Sequence, residues 1–125
     1  MKASDQRDRF LIDEMLNHAD VIAVNVRKGR DVFDTDTTTR YAVEHATELF
    51  AEAAEKISRP FKSANRQVPW ARLRELRHDV AHPYDTGANP TSVEQTWRFA
   101  RDDVPKITRK LRHARFPRIA EPARE

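Results

Sequence analysis

The chain has 125 residues, of which 34% are charged, and its formal net charge of +3 accompanies a sequence pI of about 9.5. It contains no cysteine, which excludes disulfides and zinc–thiolate sites. No run of about 18 apolar residues occurs, and the polar residues 1–9 are not followed by a signal-peptide core, so a cytoplasmic protein without a membrane span is expected. The length fits one domain, and the arginine-rich charge favours a polyanion such as RNA, although an arginine-rich proteome explains that charge equally well.

The first two predicted helices cover residues 5–28 and 38–58. Apolar residues recur in both at steps of three and four, which places them on one face of each helix: Ile12, Met15, Ala19, Ile22 and Val26, then Val43, Ala46, Phe50, Ala53 and Ile57. Gly29 is placed to end the first helix and Pro60 to close the second. Residues 30–39, rich in Asp and Thr, are predicted to be a linker, and residues 59–68 a loop.

The third predicted helix covers residues 69–81, and the fourth begins near residue 91 after a loop. Their apolar faces are formed by Trp70, Leu73, Leu76 and Val80, then by Val93, Trp97, Ala100, Val104, Ile107 and Leu111. Pro105 should kink or restart the last helix, because proline has no N–H to donate. We therefore predict an all-α protein, a four-helix up-and-down bundle of residues 1–114 with a loose tail, 115–125. Alanine-rich seams make a homodimer interface plausible.

One short stretch, residues 77–84, carries side chains suited to phosphate esters. Arg77 can grip two phosphate oxygens through its planar guanidinium, and His82 can exchange a proton near neutral pH. Arg77 falls on the apolar face of the third helix and therefore needs a carboxylate, carbonyls or an anionic ligand as a partner. A snorkelling or salt-bridged arginine is the structural alternative.

His82 lies roughly 140° around an unbroken helix from Arg77, so the two could not act on one phosphate there. Pro83 favours unwinding of the helix near His82, which would let the imidazole turn toward Arg77 or a partner subunit. The alternative is a solvent-facing histidine at a helix C-terminus. Tyr84 is either a packed loop residue or a polar group beside the phosphate.

Other kinds of site have little support in the sequence. His78 and His82 have the spacing of two metal ligands on a helix, but no glutamate follows His78 and no third ligand is evident, so no metal or cofactor is predicted. No glycine-rich phosphate loop and no serine-esterase elbow occurs. The remaining histidines are expected to be ordinary surface or boundary residues: His18, His45 and His113.

The motif and its flanks resemble the HepT-like proteins, toxins of the HEPN superfamily (higher eukaryotes and prokaryotes nucleotide-binding). Arg77, His82 and Tyr84 match the R-x4-H-x-Y motif of that family. Residues 52–57 resemble the end of the family's second helix, and residues 68–70 resemble the entry to its motif helix. Trp97 and residues 103–105 resemble parts of the family's last helix. The resemblance extends over roughly residues 8–113.

The resemblance implies a HEPN-like four-helix bundle that dimerises and places two motifs at a shared cleft. It implies a metal-independent endoribonuclease toxin in which Arg77 and His82 are catalytic. From its own chemistry, and not from the resemblance, we expect His78 to assist as a second donor. Transfer RNA and messenger RNA are both candidate substrates. The implied partner is a minimal nucleotidyltransferase antitoxin of the MntA type, which silences the toxin by transferring AMP to Tyr84.

The sequence departs from the family pattern at two positions. His78 stands where Asn or Asp commonly follows the motif arginine, and Asp85 stands where an aromatic residue often follows the tyrosine. Two alternatives therefore stay open. One is a non-catalytic bundle that binds nucleotide or nucleic acid beside a nucleotidyltransferase, and the other is a metal-dependent enzyme that uses His78 and His82.

Overall fold

The structure is a computed structural model that describes residues 3–81 and 90–115, except for the side chains of residues 77–81 and 90–92. Within these ranges the chain forms seven α-helices and one π-helical turn, which lies between the last two helices. The helices are α1 (Ala3–Val26), α2 (Arg30–Thr35), α3 (Thr37–Lys56), α4 (Arg59–Ala64), α5 (Trp70–Ala81), α6 (Pro90–Arg98) and α7 (Val104–Arg112), and the π turn is Phe99–Asp103. No strand occurs in the part of the chain described.

Four long helical segments form the bundle, and the prediction of an all-α bundle is confirmed. Helix α1 packs on α3, α3 packs on α5, α5 contacts α6, and α7 returns to α1. The two short helices α2 and α4 lie at opposite ends of the bundle. One continuous core contains the residues predicted for the apolar faces of the first two helices, among them Met15, Ile22, Val43 and Phe50, none of which is exposed.

The boundary between α1 and α3 shows one confirmed stop signal and one wrong prediction. Gly29 follows α1 with a φ of 97°, a left-handed conformation that favours glycine. Residues 30–39 were predicted to be a linker, yet they contain helix α2. Phe33 is completely buried there, with its ring centroid 5.0 Å from that of Trp97. A six-residue helix with a single buried aromatic has too little periodicity to be recognised in the sequence.

The second wrong prediction concerns residues 59–68, where part of the expected loop is helix α4. Pro60 lies in the first turn of α4, a position that suits proline because the missing N–H has no partner there in any case. The Ser58 side chain caps this helix by accepting from Phe61 N. The buried carboxylate of Asp8 accepts from Ser58 N at 3.0 Å and from Ser58 Oγ at 2.6 Å, which ties the beginning of α1 to that of α4.

The predicted restart of the last helix near Pro105 is confirmed. Helix α6 passes into the π turn, and α7 then begins with Pro105 in its first turn. Proline cannot donate to the carbonyl four residues earlier, so the regular hydrogen-bond ladder has to change at this point. Among the helices described, none is long and apolar enough to cross a membrane.

Candidate active site

The motif helix α5 is anchored in the bundle by its apolar face. Leu73 is 1% exposed and Leu76 is 8% exposed, and the helix packs mainly against α3. Burying two leucine side chains contributes about 3–6 kcal/mol relative to leaving them in water. The first half of α5 is thereby held in a defined register, and this register sets the backbone position of residue 77.

A buried amide organises the entrance to α5. Asn65 is 1% exposed, and its Nδ2 donates to the carbonyls of Phe61 at 2.9 Å and Arg115 at 2.7 Å. Its Oδ1 accepts from the backbone N of Arg115 at 2.7 Å. The main-chain carbonyl of Asn65 accepts from Trp70 Nε1 at 3.0 Å. This one residue therefore joins α4, the first residue of α5 and the segment that follows α7.

A further contact of α5 is an ion pair with the π turn. Arg72 donates to Asp103 Oδ2 through Nη2 at 2.8 Å and through Nε at 3.2 Å, and its guanidinium lies 5.9 Å from the ring centroid of Phe99. Surface ion pairs are individually weak, but this one joins two helices and rests on a buried ring. The pair fixes the rotation of α5 relative to the last helix.

A second ion-pair network holds the beginning of α6, the helix that follows the motif segment. Glu94 accepts from Arg30 of α2 and from Arg98 at 3.0 Å. The hydrogen bond from Arg30 is the largest cause of the lowered pKa of Glu94. Arg30 also lies 5.8 Å from the ring centroids of both Phe33 and Trp97. The bundle thus fixes a helix on each side of residues 82–89.

The predicted site residues belong to the second half of α5 and to the segment that follows it in the sequence. Arg77 and His78 lie on α5, but their side chains are outside the description, and His82 and Tyr84 lie outside the described residues altogether. The register of α5 puts position 77 about 40° from Leu73 and position 78 about 140° from it, so only position 77 shares the packed side of the helix. The predicted meeting of Arg77 with His82 remains a prediction.

The surrounding groups that position α5 were not anticipated from the sequence. Asn65 belongs to a polar stretch that reads as an ordinary loop, and Asp103 lies 31 residues from its partner Arg72. No local pattern signals either contact. Within the part of the chain described, no cluster of three His, Asp or Glu residues could hold a metal ion. The alternative site at His78 and His82 falls outside that part.

Comparison with known proteins agrees with this architecture. The family described as "Ribonuclease HepT-like" matches residues 12–114. The chain is 30% identical over 102 residues to "Putative RNase MJ1380" of Methanocaldococcus jannaschii, a match that covers 82% of this chain and 90% of that protein. It is 28% identical over 83 residues to "Probable ribonuclease HepT" of Thermococcus cleftensis, covering 66% of this chain and 72% of the relative. No solved structure matches the chain. With a family match that extends over most of the bundle, including α5, the chain belongs to the HepT-like ribonuclease family.

Proposed function

We propose that this protein is a metal-independent endoribonuclease whose active site is formed by Arg77 and His82 at a homodimer cleft. The observation that carries the proposal is the placement of Arg77 on an anchored helix, α5, inside the region that matches a ribonuclease family. His82 follows α5 directly, before a proline that disfavours further helix. RNA is the substrate that this family membership supports.

The proposed reaction is attack of a ribose 2′-oxygen on the adjacent phosphorus. His82 of one subunit takes the proton of the 2′-hydroxyl, and His82 of the partner subunit donates a proton to the departing 5′-oxygen. Arg77 stabilises the negative charge that develops on the phosphorane oxygens. The bond from phosphorus to the 5′-oxygen breaks, which leaves a 2′,3′-cyclic phosphate and a 5′-hydroxyl. One chain supplies one histidine at this position, so two subunits are needed for both proton transfers. His78 assists as a further donor to the phosphate.

The test is cleavage of total RNA in the presence of EDTA by the purified protein, Arg77→Ala and His82→Ala. Loss of a general acid–base group typically lowers the rate by about 10²–10⁴-fold, and loss of one group that stabilises charge in the transition state lowers it by about 10²–10³-fold. Both variants should therefore fall to near background while the wild type yields cyclic-phosphate ends. Arg109→Ala and His113→Ala are matched controls, because both side chains are exposed on or beside α7. Equal cleavage by all five proteins would identify a contaminating nuclease and refute the assignment.

We further propose that the protein is the toxin of a toxin–antitoxin pair and that a minimal nucleotidyltransferase silences it by AMPylating Tyr84. AMP on this tyrosine would place bulk and negative charge beside the phosphate site and repel the RNA backbone. The chain offers a sharp control, because it has only two tyrosines and the other, Tyr41, is 63% exposed.

The regulatory proposal is tested by mass spectrometry after co-expression with the nucleotidyltransferase. A mass increase corresponding to AMP is expected on the wild type and on Tyr41→Phe, and its loss is expected on Tyr84→Phe. Modification of Tyr41 instead would show that exposure alone selects the tyrosine. Growth arrest on expression, relieved by His82→Ala, is the expected sign of the toxin role.

A further inference from the structure

Basic side chains from four parts of the chain gather around the N-terminal end of α5. We name them the entrance surface: Arg59 and Lys62 of α4, Arg66 of the turn before α5, Arg74 of α5, and Arg115 beyond α7. The four arginines are exposed, and Lys62 is half-buried. No salt bridge involves any of the five within the described ranges 3–81 and 90–115.

Hydrogen bonds of Asn65 place two members of the entrance surface, Arg66 and Arg115, near the beginning of α5. Arg115 is drawn in by the two hydrogen bonds of its backbone to the Asn65 side chain. Arg66 follows Asn65 in a turn closed by the bond from Val68 N to the Asn65 carbonyl at 3.2 Å. Residues 50 positions apart in the chain thus contribute to one end of the bundle.

Lys62 is the half-buried member of the entrance surface. Its Nζ lies 5.8 Å from the ring centroid of Trp70, the first residue of α5. Burial is the largest cause of its lowered pKa, and the nearby positive charges of Arg74 and Arg59 lower that pKa further. The carboxylates of Glu55 and Asp8 act in the opposite direction. Lys62 therefore lies near two other cationic groups and two carboxylates, one of which, Asp8, is already bonded to Ser58.

Five other arginines in the described part of the bundle are each paired with a carboxylate. These pairs are Arg30 with Asp34 and Glu94, Arg40 with Glu44, Arg72 with Asp103, Arg98 with Glu94, and Arg101 with Asp102. Arg74 has no acidic residue three or four positions away on its own helix. The positions three and four residues away on either side hold Trp70, Ala71, Arg77 and His78, none of them acidic.

The register of α5 connects the entrance surface to the motif arginine. Positions 70, 74 and 77 are separated by four and three residues, so they form one stripe along the helix. With a rise of about 1.5 Å per residue, position 74 lies about 6 Å, and position 77 about 10.5 Å, along the axis from Trp70. Positive charge therefore continues from the end of the bundle toward position 77.

We propose that the entrance surface binds the phosphodiester backbone of single-stranded RNA and directs it along α5 to Arg77. The inference deepens the proposed ribonuclease function by naming where the substrate strand is held outside the reacting phosphate. Arginines without a carboxylate partner form strong, charge-assisted hydrogen bonds to phosphates. Binding here is independent of base sequence, because the contacts are made to phosphates.

The test measures binding separately from cleavage. The probe is a short single-stranded RNA with 2′-O-methyl groups throughout, which cannot undergo the transesterification. Its dissociation constant is measured at several salt concentrations for the wild type and for the Arg66→Gln/Arg74→Gln variant. Each phosphate contact to a single strand contributes about 0.7 to the slope of log K against log salt. The variant should therefore lose about 1.4 from the slope and bind roughly 25-fold more weakly at about 100 mM salt.

The matched control is Arg27→Gln/Lys28→Gln, which removes the same charge. These residues directly follow α1, roughly 28 Å along its direction from Asp8, and α1 lies diagonally across the bundle from α5. The control should bind within twofold of the wild type with an unchanged slope. Equal weakening of both variants would mean that only net charge matters, and no weakening of either would mean that RNA binds elsewhere. Each of these results overturns the inference.

Cleavage assays on the same proteins keep this inference distinct from the proposed function. The Arg66→Gln/Arg74→Gln variant should raise KM by a similar factor and leave kcat unchanged, because neither residue touches the reacting atoms. A wild type that binds the probe as expected but cleaves no RNA would refute the ribonuclease mechanism and leave the entrance surface intact. A wild type that cleaves RNA with a KM unaffected by the substitutions would refute the entrance surface alone.

Discussion

The buried amide of Asn65 provides the sharpest test of how the entrance to α5 is held. Asn65→Ala removes three short hydrogen bonds, two donated to Phe61 O and Arg115 O and one accepted from Arg115 N. It also removes a longer bond that Asn65 Oδ1 accepts from Gln67 Nε2 at 3.4 Å. The side chain is 1% exposed, so water cannot simply replace these bonds at the Asn65 position. The main-chain bond from Trp70 Nε1 to the Asn65 carbonyl does not require the side chain and should survive.

The expected cost follows from the three short bonds. Each contributes about 1 kcal/mol net to the free energy of unfolding. We therefore expect Asn65→Ala to lower the free energy of unfolding by about 3 kcal/mol. Domains are typically stable by only about 5–15 kcal/mol, and at this chain length the loss corresponds to a Tm lower by roughly 10 °C.

The measurement is urea and thermal unfolding followed by circular dichroism, with Asn17→Ala as the matched control. Asn17 lies exposed on α1 and makes no side-chain hydrogen bond in the described part of the chain, so its replacement should change the stability by less than about 0.5 kcal/mol. A change of the same small size for Asn65→Ala would refute the role given to this amide. In that case the contacts of Leu73 and Leu76, together with the ion pair of Arg72 with Asp103, would be enough to hold α5 in place.

Three further predictions concern other parts of the bundle. Asp8→Ala and Ser58→Ala should couple by about 1–2 kcal/mol in a double-mutant cycle of urea unfolding, because their side chains bond directly, and additive effects would contradict this. Thr47→Val should stabilise the fold by about 0.5–1 kcal/mol in the same assay, since the buried Thr47 hydroxyl has no hydrogen-bond partner among the described residues, and a loss of stability would reveal one. Hydrogen bonds lower the pKa values of Asp36 and Glu94 from their usual 3.8 and 4.5. The two ionised carboxylates therefore contribute their full stability above the usual pKa values, and this stability is lost as the pH falls through the lowered pKa values of the folded state. Between about pH 6 and about pH 3, the wild type should therefore lose more stability than Asp36→Asn/Glu94→Gln, and parallel curves would argue against these two carboxylates.

Helical periodicity predicted the four long segments because each has a stripe of apolar residues that must face a partner. The predicted apolar faces of the first two helices, which contain Ile22 and Phe50, are the faces that pack into the core of the structure. The stop at Gly29 and the restart at Pro105 were also predicted, because both rest on backbone properties of a single residue. The homodimer is still a prediction, as is the loose tail after residue 114.

The short helices escaped prediction because their stability comes from tertiary contacts. Helix α2 exists around Phe33, which packs on Trp97 from 64 residues away, and α4 exists around Phe61 and the cap at Ser58. Six residues cannot form a stable helix in isolation, so local sequence carries little signal for them.

The sequence by itself determined the bundle class, the family resemblance and the motif of Arg77, His82 and Tyr84, because each depends on residue type and spacing along the chain. Only the tertiary structure decided how α5 is held and which charges meet at its beginning. The bonds of Asn65 to Arg115 connect residues 50 positions apart, and the pair of Arg72 with Asp103 connects residues 31 apart. Such contacts arise when separate helices pack against one another, and no local rule of spacing specifies them.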